Sequence, residues 1–179
     1  MDNITILTLN PNNKSLFIDT LTTALTDKFG ITVENLEDNY GYKYPWSLLS
    51  LIKSNSIDTY QILYVNDLVW CASGGIIREH KGTRVYQIGF RGFSNHDSRH
   101  TGLGVKPLGT ETLIKHQVER ARLNNCDLAI MSFNEHNYKL FAVFKKYLMP
   151  RVFGKNSFVP SQTPVLFNGV LQWTLTMKL

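Results

Sequence analysis

The 179-residue sequence is short of cysteine, of long apolar runs and of any repeated or low-complexity tract. Its two cysteines, Cys71 and Cys126, stand far apart, each within an apolar stretch. A structural zinc site needs closely spaced Cys or His pairs and a disulfide scaffold needs several cysteines, so neither is expected to hold this fold. No metal site is expected at all. Isolated thiols suit a reducing, cytoplasmic setting. No apolar run approaches the ~20 residues of a membrane-spanning helix, and Met1-Asp2-Asn3 lacks the basic start of a secretory leader. A membrane is therefore not an expected partner. Charge is sparse too: 18% of residues are charged, and Lys plus Arg 19 against Asp plus Glu 14 leaves a net +5. The basic residues are scattered along the chain and form no stripe on one helix face, so nucleic acid is not an expected partner either. By itself the excess invites a polyanion, whether nucleic acid, acidic lipid or a phosphorylated cofactor, and does not choose among them.

What is present is the composition of a globular chain, with 43% apolar residues. Without a linker or charge block, residues 1–179 read as a single domain. Ile4 to Leu9 reads as a strand, closed by the turn Asn10-Pro11-Asn12-Asn13. Ser15 can cap a helix to about Lys28, with Leu16, Ile18, Leu21, Ala24 and Leu25 on its apolar side. Pro45 and Trp46 open a second helix through about Ser54. Tyr60 to Val65 and Leu68 to Ile77 flank Asn66-Asp67, a two-residue hairpin signal, and Gly74-Gly75 predicts a bulge or a close backbone approach. Val85 to Phe93 is the next strand, followed by a helix to about Leu123, a buried strand from Asp127 to Phe133 and a helix from His136 to Leu148. The tail reads as a hairpin, Val165 to Phe167 and Val170 to Met177 around Asn168-Gly169, with Pro160 and Pro164 pushing its first strand to a sheet edge. The expected fold is α/β: a mixed, mostly antiparallel central sheet with flanking helices, in the order β-α-α-β-β-β-α-β-α-β-β. The strand at 127–133 reaches its neighbour by a helical crossover.

The segment richest in chemistry is Arg99-His100-Thr101-Gly102-Leu103-Gly104, between a strand and a helix. Glycines there let backbone N–H groups converge, and the helix start adds more N–H groups and its positive dipole end. Together they make an anion site, with Arg99 placed to add a charged contact to phosphate. No G-K-[ST] follows, so it is not a P-loop, and the glycine spacing is not that of a dinucleotide-binding fingerprint.

R-x-x-G-x-G in this order of elements resembles the acyl-CoA-dependent N-acetyltransferases of the GNAT superfamily. Asn134-Glu135-His136-Asn137 with Leu140, Phe144 and Leu148 resembles that family's pattern after the fifth strand. So, less specifically, does the ending Met177-Lys178-Leu179. The resemblance implies a GNAT-like fold and an N-acetyltransferase that moves an acetyl group from acetyl-CoA, its cosubstrate, to an amine of a small molecule or protein. It implies that the loop Arg99, His100, Thr101, Gly102, Leu103 and Gly104 holds the pyrophosphate of coenzyme A. By the same resemblance Phe93 and Ser94 would accept the pantetheine amide like an added strand, and Asn134 or Asn137 would contact the pantetheine arm.

Acetyl transfer needs a neutral amine, a stabilised oxyanion and a proton for the thiolate. The positions where the family often carries a base on the fourth strand align with Ile88 and Phe90, and its usual acid aligns with Phe144. None of these titrates, so the catalytic residues stay unassigned. Two readings remain open: a base acting through water, or a non-catalytic CoA-binding or interaction module. Tyr138 and Tyr147 flank Phe144 but are turned away from it by helical geometry. Gln87 and Arg91 share the strand face opposite Tyr86, Ile88 and Phe90, and Arg91 could bind an acceptor carboxylate or pair with a helix acid. Tyr42 and Tyr44, with Tyr40 and Trp46, either line an aromatic acceptor pocket or pack helices onto the sheet. The acceptor itself is not named by the sequence. Sheet edges and the C-terminal hairpin offer a route to a homodimer.

Overall fold

β-Branched and apolar residues build the first strand, β1 (Ile4–Leu9), and the Asn10 side chain caps the turn that follows by accepting from the Asn12 backbone N–H at 3.0 Å. One 3₁₀ turn, Pro11–Asn13, leads into α1 (Lys14–Phe29). The computed structural model describes residues 3–29, 54–92, 107–167 and 169–179. The expected helix from Pro45 and the glycine-rich loop at 99–104 lie outside these residues. β2 (Ile57–Val65) and β3 (Leu68–His80) meet at Asn66-Asp67, with φ of 51° and 63°. Two consecutive positive φ values are the geometry of a type I′ turn, whose twist matches the strands it joins and which Asn and Asp tolerate. Lys81 and Gly82, at φ 49° and 78°, join β3 to β4 (Thr83–Gly92) in the same way.

Helix α2 (Pro107–Leu123) starts on a proline, where the missing N–H leaves no bond unmade. It ends at Leu123, and Asn125 beyond it has a φ of 53°, the left-handed conformation common just past a helix. The crossover delivers β5 (Leu128–Asn134) parallel to β4, from Val85↔Leu128 to Ile88↔Met131. A 3₁₀ turn (Glu135–Asn137), α3 (Tyr138–Val143), a π-helical turn (Phe144–Leu148) and α4 (Met149–Phe153) follow. Three strands close the chain: β6 (Val159–Pro160), β7 (Val165–Phe167) and β8 (Val170–Lys178). The eight strands form one mixed, mostly antiparallel sheet in the order β1-β2-β3-β4-β5-β8-β6, with β7 also on β8.

By packing, the chain divides into two compact units. In the first, within Met1–Ile76 and Gly89–Val105, α1 lies on β2: Phe17 and Leu21 are fully buried, and the Phe17 ring stacks on Tyr60 with centroids 4.5 Å apart. Two buried polar groups here are bonded: Ser73 Oγ donates to the Gly89 carbonyl at 2.8 Å, and Gln61 Nε2 to Thr59 Oγ1. In the second unit Ile114, Val118 and Ala121 of α2 are buried, and the Tyr86 hydroxyl donates to Gln117 Oε1 at 3.1 Å. Phe133 of β5 meets Phe141 and Phe144 edge-on at 5.9 and 5.0 Å. Arg84 clasps the entry of β4 to that of β5. Its backbone N–H donates to Asp127 Oδ2 at 2.7 Å, and its guanidinium to the Asn124 carbonyl at 3.0 Å and to Glu79 at 2.9 Å.

Four local expectations are corrected. Leu16, expected on the buried side of α1, is 52% exposed; Phe17 is the anchor, because Tyr60 offers its ring on that side. Of the two readings of Gly74-Gly75, a bulge or a close backbone approach, the bulge falls in the partner strand. The β2–β3 register shifts between Ile57↔Ile76 and Thr59↔Gly75, which leaves Asp58 as the extra residue. The single helix expected from His136 to Leu148 is a chain of 3₁₀, α, π and α turns that runs on to Phe153. Pro150 explains the widening: it has no N–H, and its ring crowds the carbonyl of Lys146. The Met149 N–H therefore reaches back five residues, to the Phe144 carbonyl. Finally, the edge beside β8 is built from two short strands. The two prolines interrupt it, and Val159–Pro160 pairs with β8 separately from β7.

Phe17→Ala should cost about 3–5 kcal/mol, the usual loss for a fully buried aromatic, read as a lower urea midpoint. Burial pushes the Tyr60 and Tyr64 phenols above their ordinary value. Because the folded phenols ionise later than the unfolded ones, stability is complete below about pH 10 and declines as pH rises from there toward the raised folded values. Urea unfolding of Tyr60→Phe between pH 8 and 11 should show a shallower alkaline decline than the parent protein.

Candidate functional site

A parallel strand ladder ordinarily continues as long as both strands do. Here the described pairing of β4 with β5 stops at Ile88↔Met131, although β4 runs on to Gly92 and β5 to Asn134. The other edge of β5 stays paired to β8 through Asn134↔Gln172. Ser132, Phe133 and Asn134 therefore have no β4 partner among the described residues. Their edge backbone groups can pair with any extended chain that carries amides.

The end of β5 holds two of the residues expected to bind cofactor. Asn134 is half-buried and turns its side chain back on the chain: Oδ1 accepts from the His136 N–H at 2.9 Å and caps the 3₁₀ turn. Asn137 is exposed and makes no side-chain cap bond at the start of α3, so its carboxamide is open to a ligand. Sequence spacing placed both asparagines at this strand end; only the backbone path separates the capping role of Asn134 from the open position of Asn137. Phe93, Ser94, Arg99, His100, Thr101, Gly102, Leu103, Gly104, Tyr42 and Tyr44 lie outside the described residues, as does the Arg91 side chain.

The acid–base positions are apolar in fact as well as in sequence. Ile88 and Phe144 are buried, and Phe144 is held edge-on against Phe133. Tyr147, within the π turn, is 59% exposed, and Tyr138 is exposed with its ring 5.0 Å from Trp173. Neither tyrosine replaces a buried acid at Phe144. Glu79 is engaged by Arg84 at the entry to β4, the strand end away from Gly92. Among the described residues there is no group of three His, Cys, Asp or Glu side chains able to hold a metal, and no helix long and apolar enough to cross a membrane.

One residue given no role by sequence reasoning stands out at this strand end. Gln87 is completely buried, and neither atom of its carboxamide has a hydrogen-bond partner among the described residues. The faint sequence signal was a glutamine inside the apolar run Val85-Tyr86-Gln87-Ile88. Tyr86, next to it, points to the other face and bonds Gln117 of α2. Beyond the ladder, the face of Gln87 continues through Ser132 of β5, which stands beside Thr174 of β8.

No family model and no curated protein matches the chain. Solved structures do. FeeM, an N-acyl amino acid synthase from uncultured soil microbes, superposes on 99% of this chain and 92% of its own, with a TM-score of 0.56 at 12% identity. An acetyltransferase of the GNAT family from Streptococcus pneumoniae covers 99% of this chain and 100% of its own, at a TM-score of 0.51 and 12% identity. AAC(6')-Ib, solved in complex with ribostamycin and coenzyme A, covers 98% and 93%, at 0.53 and 14%. Strand order, the parallel β4–α2–β5 crossover and these superpositions agree: the chain has the GNAT fold.

Proposed function

We propose that the protein is an acyl-CoA-dependent N-acetyltransferase, with acetyl-CoA as cosubstrate and an amine of a small molecule or protein as acceptor. The observation that carries this reading is the β4–β5 ladder that stops at Ile88↔Met131 while β5 continues to Asn134. It leaves a strand edge suited to the amides of a pantetheine arm, in a fold shared with acetyltransferases. Acetyl-CoA supplies an activated thioester; the chain's part is to hold and orient it. The β5 edge would pair with the arm, Asn137 would add a side-chain bond, and the loop 99–104 would supply N–H groups and Arg99 to the phosphates. Ile88 and Phe144 take no proton, so the amine would lose its proton to water, or through water to a more distant group.

A second reading, a CoA-binding or interaction module without turnover, draws support from those same two apolar positions. Both readings place coenzyme A in one site, and they part on turnover alone.

Calorimetric titration of acetyl-CoA separates them from a fold with no cofactor. Micromolar binding is expected for the parent protein, none for Gly102→Glu, and about tenfold weaker binding for Arg99→Ala, the loss of one charged contact. Absence of binding to the parent protein would sink both readings. Turnover on a panel of amines supports the first; binding without turnover on any of them supports the second. The two asparagines should behave differently. Asn134→Ala should cost about 1 kcal/mol of stability through its lost cap. Asn137→Ala should leave the urea midpoint unchanged while weakening acetyl-CoA binding by about fivefold or more.

A further inference from the structure

We infer that Gln87 positions the acceptor, and that the acceptor is an amine carrying a hydroxyl or carbonyl oxygen near its nitrogen. This rests on the acyltransfer reading above. A buried carboxamide left without partners gives up its bonds to water and gains none in return, and Val, Ile or Leu would fill the same strand position without that cost. Elsewhere the structure bonds its buried amides: Gln117 accepts from Tyr86, and Gln61 donates to Thr59. The buried hydroxyls of Thr22 and Thr110 lack partners too, but these lie on helices, where a threonine hydroxyl can turn to the carbonyl four residues back. Gln87 has no such neighbour, and two residues to either side on its strand stand Val85 and Gly89, neither with a hydrogen-bonding side chain.

Position gives the orphaned amide a use. Gln87 pairs with Ile130 one step before the ladder ends, and Ser132 is the next residue on that face, beside Thr174. Three uncharged hydrogen-bonding side chains thus share one face at the end of the β4–β5 ladder, with no charge among them. The Gln87 oxygen can accept from an amine N–H, which turns the nitrogen lone pair outward, while its NH₂ donates to an oxygen on the same ligand. A carboxamide takes no proton at neutral pH. Gln87 is therefore a positioning residue that selects its acceptor by paired donor and acceptor bonds, and an amine with no such oxygen leaves half of the amide unmet.

The test compares Gln87→Leu and Gln87→Met with the parent protein in three measurements: thermal unfolding, acetyl-CoA titration and steady-state kinetics. The kinetics use an amino alcohol or amino amide, and the plain alkylamine of the same length. Both variants should melt at or above the parent temperature, because each removes unmet polar atoms from the interior. Acetyl-CoA affinity should stay within twofold. The KM for the oxygen-bearing amine should rise about tenfold, and the preference for it over the alkylamine should vanish. Lower melting temperatures in both variants would mark a carboxamide bonded within the protein, directly or through water, and would overturn the inference. So would an active enzyme whose acceptor KM and preference are the same in parent and variants, and that result would leave the acyltransferase reading standing. A parent protein that binds no acetyl-CoA, or turns over no amine, overturns the reading and this inference together.

Discussion

The parallel pairing of β4 with β5 is the constraint on which the second unit depends. Parallel neighbours cannot be joined by a tight turn, so the chain must leave β4, travel the length of the sheet and return. Helix α2 is that return path. Its consequence is chemical as well as topological. Among the described residues this parallel pairing stops at Ile88↔Met131 while β5 stays paired to β8 through Asn134, which leaves Ser132, Phe133 and Asn134 with no β4 partner there. Arg84 and Asp127 hold the opposite end of the same pair, so the strands are clamped where they enter.

Polar burial sharpens that picture. Most strand interiors are built to be dry, yet this chain buries Gln61, Gln87, Gln117 and Gln172. Gln61 on β2 and Gln117 on α2 are each bonded to one hydroxyl-bearing side chain, Thr59 and Tyr86. Such pairs cost little, because the desolvation of each group is repaid by the other. Gln87 breaks the rule at the point where the ladder ends, and a departure from polar satisfaction at such a place is what a binding function would select.

The segmented helix after β5 follows from equally local chemistry. Asn134 caps a 3₁₀ turn, α3 lasts six residues, and Pro150 forces the π turn that carries Phe144, Lys145, Lys146, Tyr147 and Leu148. The widened turn keeps Phe144 and Leu148 buried and Tyr147 exposed. Phe141 and Trp173 stack at 5.1 Å beside it, so the aromatic cluster of Phe133, Phe141, Phe144 and Trp173 absorbs the change in pitch. An apolar residue at Phe144 serves this cluster, and a proton donor there would have to be buried against the ring of Phe133.

Much of the fold was legible in the residues themselves. Alternation and β-branching marked β1, Asn66-Asp67 marked a hairpin that the left-handed backbone of both residues requires, and the crossover from β4 to β5 followed from a helical period between two apolar strands. These are short-range signals, carried by the torsional preferences and periodicity of neighbouring residues. The placement of Asn134 and Asn137 at one strand end was legible for the same reason. What the sequence by itself did not decide was contact and register. Phe17 outranked Leu16 because Tyr60, far along the chain, offered its ring. The bulge moved from Gly75 to Asp58 because register belongs to a pair of strands and not to one. Asn134 became a cap, and Gln87 became an unbonded amide, only when the ladder and its stopping point were set. A side chain's type is written in the sequence, but whether its hydrogen bonds are met depends on which distant atoms the tertiary structure brings within about 3 Å.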